Sequence, residues 1–498
     1  MKSILMLAYR FPPEGSAGTY RPLRLVRQLD RRGWATSVIT LATEHRERYD
    51  PELLSRVPEK TEVIRVEKAD PWARLQGWRA ARRQATKPSN ERGLGRTGAR
   101  DESRARRWMR LSVRRGEAWL YHPDLAMFWI RPAVEAGLLA CETRKPSVVW
   151  ATGGPWSAFV AAARLSSATA VPYVLDFRDC WTLTNNDFRA LRPSWASSRD
   201  RRTLYRLFQN AQAVIFRYLS EAECYWRAYP GALRQERVFI IPNGFEGNVE
   251  SFPLPDGDRM VVLHAGTLSS YRYDSLLDGL VLLTRKNQHY RHQIVFLFVG
   301  EGADRVEADA ARRGLVGMVS ARPATANAAL ASLYRSAHVL LVLGRENGMR
   351  GHELLAGAKL FGYLKTGRPI LGVLPEDETA RILKQVGVTT IAPADDSGQI
   401  ASVLETLLTT WSAGRLTSLA PDPALCEVFS SQNQIEHYLP ALEDRAPVVP
   451  FVPGQASVPP SLKKKVEAMA FENSRDFLNG KPGMQRLLRT FGFAPDRR

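Results

Sequence analysis

The chain alternates short, uniformly apolar runs with longer stretches in which apolar positions recur every three or four residues. Ile4 to Ala8 is the first such run. Behind it come a loop at 11–18 and a stretch with Leu23, Val26 and Leu29 on one helical face. Gly33 then stands where a helix ends in a left-handed residue. Val38 to Thr40 and Val63 to Val66 predict the next strands. After a basic, loop-rich interval the pattern resumes, with strands predicted at Val148 to Thr152, Tyr173 to Phe177, Ala213 to Phe216 and Val238 to Ile241, and a small-residue helix at Ser157 to Leu165. A second set follows a loop rich in Pro, Asp and Gly. Its strands are Met260 to His264, Ile294 to Val299, Val339 to Leu343 and Ile370 to Leu374. Its helices lie around Leu276 to Leu283, Leu354 to Leu364 and Thr379 to Val386. Continuous apolar strands are buried on both faces, and helices joining parallel strands cover them that way. The pattern therefore predicts an α/β fold of two doubly wound, Rossmann-like domains facing a cleft. The first spans 1–245 and carries a basic insertion at about 71–120. The second spans 246–445. A Pro-rich linker and basic tail, 446–498, contains one predicted helix from Leu462 to Phe471.

Composition changes this picture only at its margins. Apolar residues make up 44% of the 498 positions and charged residues 24%, which excludes wholesale disorder. No apolar run is long enough for a membrane-spanning helix. The opening, Met1 to Pro13, reads as a first strand and not a secretory signal, because it lacks an A-x-A cleavage site. Cys141, Cys180, Cys224 and Cys426 stand far apart with no C-x-x-C pair. That argues against a disulfide scaffold, a thiol-redox site or a zinc ribbon, and fits a reducing cytoplasm.

Charge is the unusual quantity. Seventy Lys and Arg against 51 Asp and Glu leave a net +19. Residues 71–120 hold fourteen of the cations and four of the acids, a local excess of +10, together with Trp72, Trp78, Trp108 and Trp119. Trp beside Arg suits a segment lying in a membrane interface, with rings at headgroup depth and cations on phosphates. Stacking on single-stranded nucleic acid uses the same residue types, and a plain solvated insertion needs no ligand at all.

In open α/β sheets, ligands bind outside the carboxyl ends of the strands, so the residues that follow strands are the ones to read for chemistry. Gly15-Ser16-Ala17-Gly18 precedes a helix start, where backbone N–H groups can approach a phosphate. It is not G-x-G-x-x-G, and no acid ends the second strand, which argues against a dinucleotide-binding dehydrogenase. Asp176-Phe177-Arg178-Asp179 closes an otherwise apolar strand with three charges. Such charges need a cleft or a partner. Asp179 can orient or deprotonate a hydroxyl, and Arg178 can hold an anion. In the second set, Gly266-Thr267-Leu268 with Arg272, Gly300-Glu301-Gly302, and the Gly-rich loop 344–353 leading to Lys359 all follow strands. The last is a plausible diphosphate cradle.

In order along the chain, these pieces are Tyr9 to Pro13 with Gly18 and Arg21; Leu29 through Gly33; Asp176 to Asp179 with Trp181; Ile241 to Phe245; His264 to Leu268; Val299 to Gly302; and Lys359-Leu360-Phe361 through Pro369-Ile370-Leu371. Over about residues 1–445 the series resembles the GT-B glycosyltransferases, specifically retaining family 4. The resemblance implies a nucleotide-sugar donor held by the second domain and an acceptor held by the first. The sugar passes with retention to a lipid-linked or surface-polysaccharide acceptor, and no metal or other cofactor takes part. It assigns Asp179 and Arg178 to catalysis and Gly18, Thr267, Arg272, Glu301 and Lys359 to the donor. The implied location is cytoplasmic, on the inner face of a membrane whose anionic surface the insertion would meet. Nucleic acid is the less favoured partner.

Two departures stand out. Gly362 occupies the place of the Glu that commonly binds the ribose hydroxyls, which leaves Glu346, Glu353 or Glu376 to do so. Thr267 stands where many members have an Arg for the diphosphate. The alternative that follows from Gly362 is an inactive GT-B scaffold or regulatory protein at the membrane.

Overall fold

The computed structural model describes residues 2–42, 49–68, 116, 118–119, 121–184, 191–268, 271–325, 327–345, 352–354 and 356–478. Nearly all of the basic insertion, together with Glu346 and Arg350, lies outside the described residues.

Seven parallel strands form the first sheet: β1 (Ser3–Leu7), β2 (Ala35–Leu41), β3 (Glu62–Val66), β4 (Val148–Gly153), β5 (Tyr173–Phe177), β6 (Ala213–Phe216) and β7 (Val238–Ile240). Their order is β3-β2-β1-β4-β5-β6-β7. Helices cover both faces: α1 (Ala17–Arg31), α2 (Ile130–Arg144), α3 (Ser157–Thr169), α4 (Ser194–Asn210) and α5 (Leu219–Ala228). The second sheet has β8 (Met260–Ala265), β9 (Ile294–Val299), β10 (Val319–Arg322), β11 (Val339–Leu343), β12 (Ile370–Leu374) and β13 (Ile391–Pro393), in the order β10-β9-β8-β11-β12-β13. Around it lie α6 (Asp274–Lys286), α7 (Ala303–Arg312), α8 (Asn327–Arg335), α9 (Ala358–Lys365), α10 (Glu378–Gln385) and α11 (Ser397–Ser412). Both sheets reverse direction once, between β1 and β4 and between β8 and β11. A crevice opens at such a switch point because neighbouring crossovers leave to opposite faces.

The strands read from apolar runs coincide with the observed ones to within a residue or so, except that β2 starts three residues before the predicted Val38. The edge strands β10 and β13 were not legible. Ser320 and Arg322 interrupt β10, and β13 is three residues long, as suits a sheet edge. The predicted helix Leu354 to Leu364 is instead a 3-10 turn, His352–Leu354, followed by α9, which starts behind extended Gly357. Leu354 is drawn into the first domain's core, and this pulls the turn away from the helix.

Chain order and spatial order part at the end of the molecule. The helix α12 (Ser431–Leu442) returns to the first sheet. Ile435, Tyr438, Ala441 and Leu442 pack with β1, β6 and α1 residues in one core. Gln28 Nε2 donates to Ser431 Oγ at 3.2 Å. The turn at Gly244 is tight enough that a Cβ there would collide with the Phe429 carbonyl. The tail helix α13 (Pro460–Leu478) also joins the first domain. Leu462, Val466 and Met469 lie in its core, and Asn473 Nδ2 donates to the Ala228 carbonyl at 2.6 Å. Residues 431–442 and 460–478 thus belong spatially with the first domain, although they follow the second in sequence. Among the described residues, no helix is long and apolar enough to cross a membrane.

The two domains meet near the carboxyl ends of both sheets. Tyr218, just past β6, donates its hydroxyl to the Ala356 carbonyl at 3.5 Å, and Ser220 Oγ bonds the Glu378 carboxylate. Ala356 stands two residues before α9 and Glu378 begins α10, so this junction brings the post-strand loops of both domains together.

Candidate functional site

The second domain's switch point is built on glycine. Gly266, ending β8, and Gly300, ending β9, have φ of +135° and +139°, a region that L side chains rarely adopt. Their backbones touch, and a Cβ on Gly300 would collide with Gly266. A Cβ on Gly266 would in turn collide with the Lys359 ammonium, so the side chain from the first turn of α9 lies directly on the bare backbone of the β8 turn. Lys359 Nζ is buried, stands 5.3 Å from the Tyr271 ring centroid, and has no hydrogen-bond partner among the described residues. Burial, and then repulsion from Arg345, push its pKa down to about 8. Tyr271 and Arg345 are joined by a backbone bridge, with the guanidinium 5.9 Å from the ring.

His264 lies at the back of the same small cavity, with Tyr271, Leu341, Arg345, Lys359 and Tyr363. Its Nδ1 meets the Leu341 carbonyl at 3.1 Å. A carbonyl only accepts, so Nδ1 carries the proton and Nε2 is left as a buried, unpartnered acceptor. Burial, and then Lys359, hold its pKa at about 3, so the ring is neutral at pH 7. The cavity therefore offers two cations, one bare acceptor and an aromatic wall. Arg345 belongs also to a larger neighbouring cleft of about 760 Å³, which is lined as well by Arg272, Glu376 and Lys384.

Of the sequence-predicted donor residues, Lys359 is in the cavity and Arg272 lines the adjoining cleft. Thr267 and Glu301 are exposed and line neither, and the Glu301 carbonyl accepts from Leu268 N at 2.9 Å. Sequence reasoning missed Arg345, Tyr271 and His264. Arg345 is the second residue after β11, inside the Gly-rich loop 344–353, so the strand-end rule applied to it. Glu353 does not line the cavity. Glu376 is exposed and bonded to Lys384 at 2.6 Å. Among the described residues, the only atom near a Cβ built on Gly362 is one of Tyr334, at 4.0 Å, so their packing does not demand glycine there.

In the first domain the charged cluster divides. Asp176 is fully buried and holds Arg21 through a forked pair of 2.8 Å bonds; Tyr438 donates to it at 3.3 Å, and Arg21 also donates to the Ile241 and Pro242 carbonyls. It is an internal tie between β5, α1 and α12. Asp179, by contrast, is 56% exposed. Arg178 lies between them in character. Its guanidinium fills the space over Gly18, bonds the Gly154 carbonyl, and stands 3.6 Å from Asp179. Burial, more than the nearby Arg10 and Arg217, lowers its pKa, and its Nε has no partner among the described residues. Gly18 thus makes room for Arg178. Arg178, Asp179 and the Gly18 turn come together at the first domain's carboxyl edge.

Two Rossmann-like domains joined near the carboxyl ends of their sheets, each with its own switch-point crevice, define the GT-B architecture. No protein-family model matches the chain, and no curated protein matches it in sequence. Among solved structures it is similar to a glycosyltransferase from Rickettsia africae, with a TM-score of 0.55 and 11% identity over 89% of this chain and 98% of that one. It is also similar to S. aureus TarM in complex with fondaparinux, α-GlcNAc-glycerol and UDP, with a TM-score of 0.53 and 9% identity over 89% and 100%. The lipopolysaccharide outer core galactosyltransferase WaaB gives a TM-score of 0.52 and 11% identity over 89% and 99%.

Proposed function

We propose that this chain is a glycosyltransferase that moves a sugar, with retention, from a nucleotide-sugar to a lipid-linked or surface-polysaccharide acceptor at the inner face of a membrane. The observation that carries the reading is the buried, unpartnered Lys359 ammonium lying on Gly266 at the β8/β11 switch point. A cation held there without a counter-charge is costly unless an anion arrives to meet it. The donor's diphosphate is that anion. As the sugar leaves, charge grows on the diphosphate. Lys359 and Arg345, with Arg272 in the adjoining cleft, are placed to stabilise it without reorganising. Asp179 is the acceptor-side carboxylate, exposed and steadied by Arg178, and it orients the incoming hydroxyl. The named ligands of TarM and the named activity of WaaB support this substrate class.

Gly362 favours a second reading, a GT-B scaffold without activity, because it has no side chain for a ribose. Calorimetry with UDP, GDP and ADP separates the two. The transferase reading expects one of them to bind, with affinity falling at least about tenfold in Lys359→Met, the order expected for one charge-assisted contact. Binding of none of the three would leave the scaffold.

A further inference from the structure

The exposed face of α4 carries Trp195, Arg199, Arg202 and Arg206 at spacings of four, three and four, which align them in one stripe. Its opposite face is the packed one, with Ala196, Leu204, Leu207 and Phe208 buried. The helix contains one acid, Asp200, and it is buried against Arg192 and His122, so it neutralises nothing on the outer face. Arg201, on the flank, is matched by Glu472 of α13. Arg199 and Arg202 have no acidic partner among the described residues. Trp195 leaves 53% of its surface in solvent.

The surroundings extend the same character. Arg192 donates to the Tyr121 carbonyl at 2.9 Å, and the His122 ring meets Asp200 at 2.8 Å and Thr203 at 3.2 Å. These bonds hold the chain against α4 at the point where the stretch of excess +10 ends. Trp119 and Leu125, on either side of that anchored segment, are also exposed.

We propose that the outer face of α4 is a docking surface for an anionic lipid bilayer, with Trp195 at headgroup depth and Arg199, Arg202 and Arg206 on lipid phosphates. It rests on the membrane-face reading above and names the folded element that makes the contact. The basis is charge complementarity: one face of a helix presents an aromatic ring and, among its cations, Arg199 and Arg202, neither matched by an acid among the described residues. The helix's apolar side is already used by the core, so the contact is superficial and salt-sensitive, unlike that of an inserted amphipathic helix.

The test is sedimentation of the full chain with phosphatidylglycerol–phosphatidylcholine vesicles, and with phosphatidylcholine alone, over a salt series. The expected result is binding to the anionic vesicles only. Arg199→Glu with Arg202→Glu should weaken it at least roughly twenty-five-fold, about fivefold per Arg. Trp195→Ala should weaken it less. The charge-matched control, Arg285→Glu with Arg415→Glu on exposed positions of the second domain, should leave it near wild type. Equal losses in both double variants would reduce the effect to net charge and overturn the assignment. So would unchanged vesicle binding accompanied by loss of single-stranded oligonucleotide binding, which would make the stripe a nucleic-acid contact. The readout needs no sugar donor. A chain that binds no nucleotide but docks through α4 would refute the transferase reading and leave this one standing.

Discussion

Lys359 is the residue at which electrostatics and proposed chemistry meet most directly. Its pKa of about 8, against an ordinary 10.5, means that between those values the unfolded chain keeps a proton that the folded chain has released. Stability should therefore rise with pH across that window, and Lys359→Met should flatten the rise while stabilising the fold at pH 7. Denaturant titrations at a series of pH values measure both effects. A bound diphosphate reverses the bias, because it favours the ammonium. Nucleotide binding near pH 8 to 9 should take up a proton, visible as a buffer-dependent heat, and affinity should fall as pH rises above about 8. Absence of proton uptake in wild type would mean that no anion sits on Lys359. Asp176 and Asp179 teach the complementary lesson. Three residues apart on one strand end, one is sealed in an ion pair and the other is open to solvent.

At the scale of the element, α9 joins a useful residue to an unusual one. Lys359 is held on Gly266 by the helix's start, and Gly362 lies one turn further on. A glycine inside a helix costs roughly 0.5–1 kcal/mol relative to Ala, and no described residue crowds a Cβ at this position. Gly362→Ala should therefore raise stability by about that amount, as a shift of the denaturation midpoint at constant slope. Gly362→Glu would place a carboxylate where the resemblance to retaining family 4 implies a ribose contact. If the donor lies as proposed, nucleoside diphosphates should bind this variant more tightly than Gly362→Ala. Equal binding by the two would separate the ribose from α9.

For the whole molecule, the return of α12 makes the first domain depend on the far end of the chain. Ile435 and Tyr438 are buried in its core, and Tyr438 meets Asp176 across a separation of 262 residues. Burying two such side chains is worth roughly 3–6 kcal/mol, comparable to a domain's whole stability. A chain ending at 430 should fail to give a cooperatively folded first domain. An equally stable 1–430 fragment would show that α12 is an accessory.

The sequence by itself determined the two sets of parallel strands apart from the edge strands β10 and β13, where those central strands end, and the glycine loops behind them. These follow from periodicity and backbone geometry, which are properties of a few neighbouring residues. Only the tertiary structure decided which charges are spent inside and which face the site. The partner that neutralises Asp176 is Arg21, 155 positions away. The ammonium of Lys359 rests on a glycine 93 positions before it (359 − 266), beside Tyr271, Arg345 and a neutral His264, to none of which the local pattern gave a role. A buried charge takes its meaning from its surroundings, and those are assembled from segments distant in sequence once the strands have stacked.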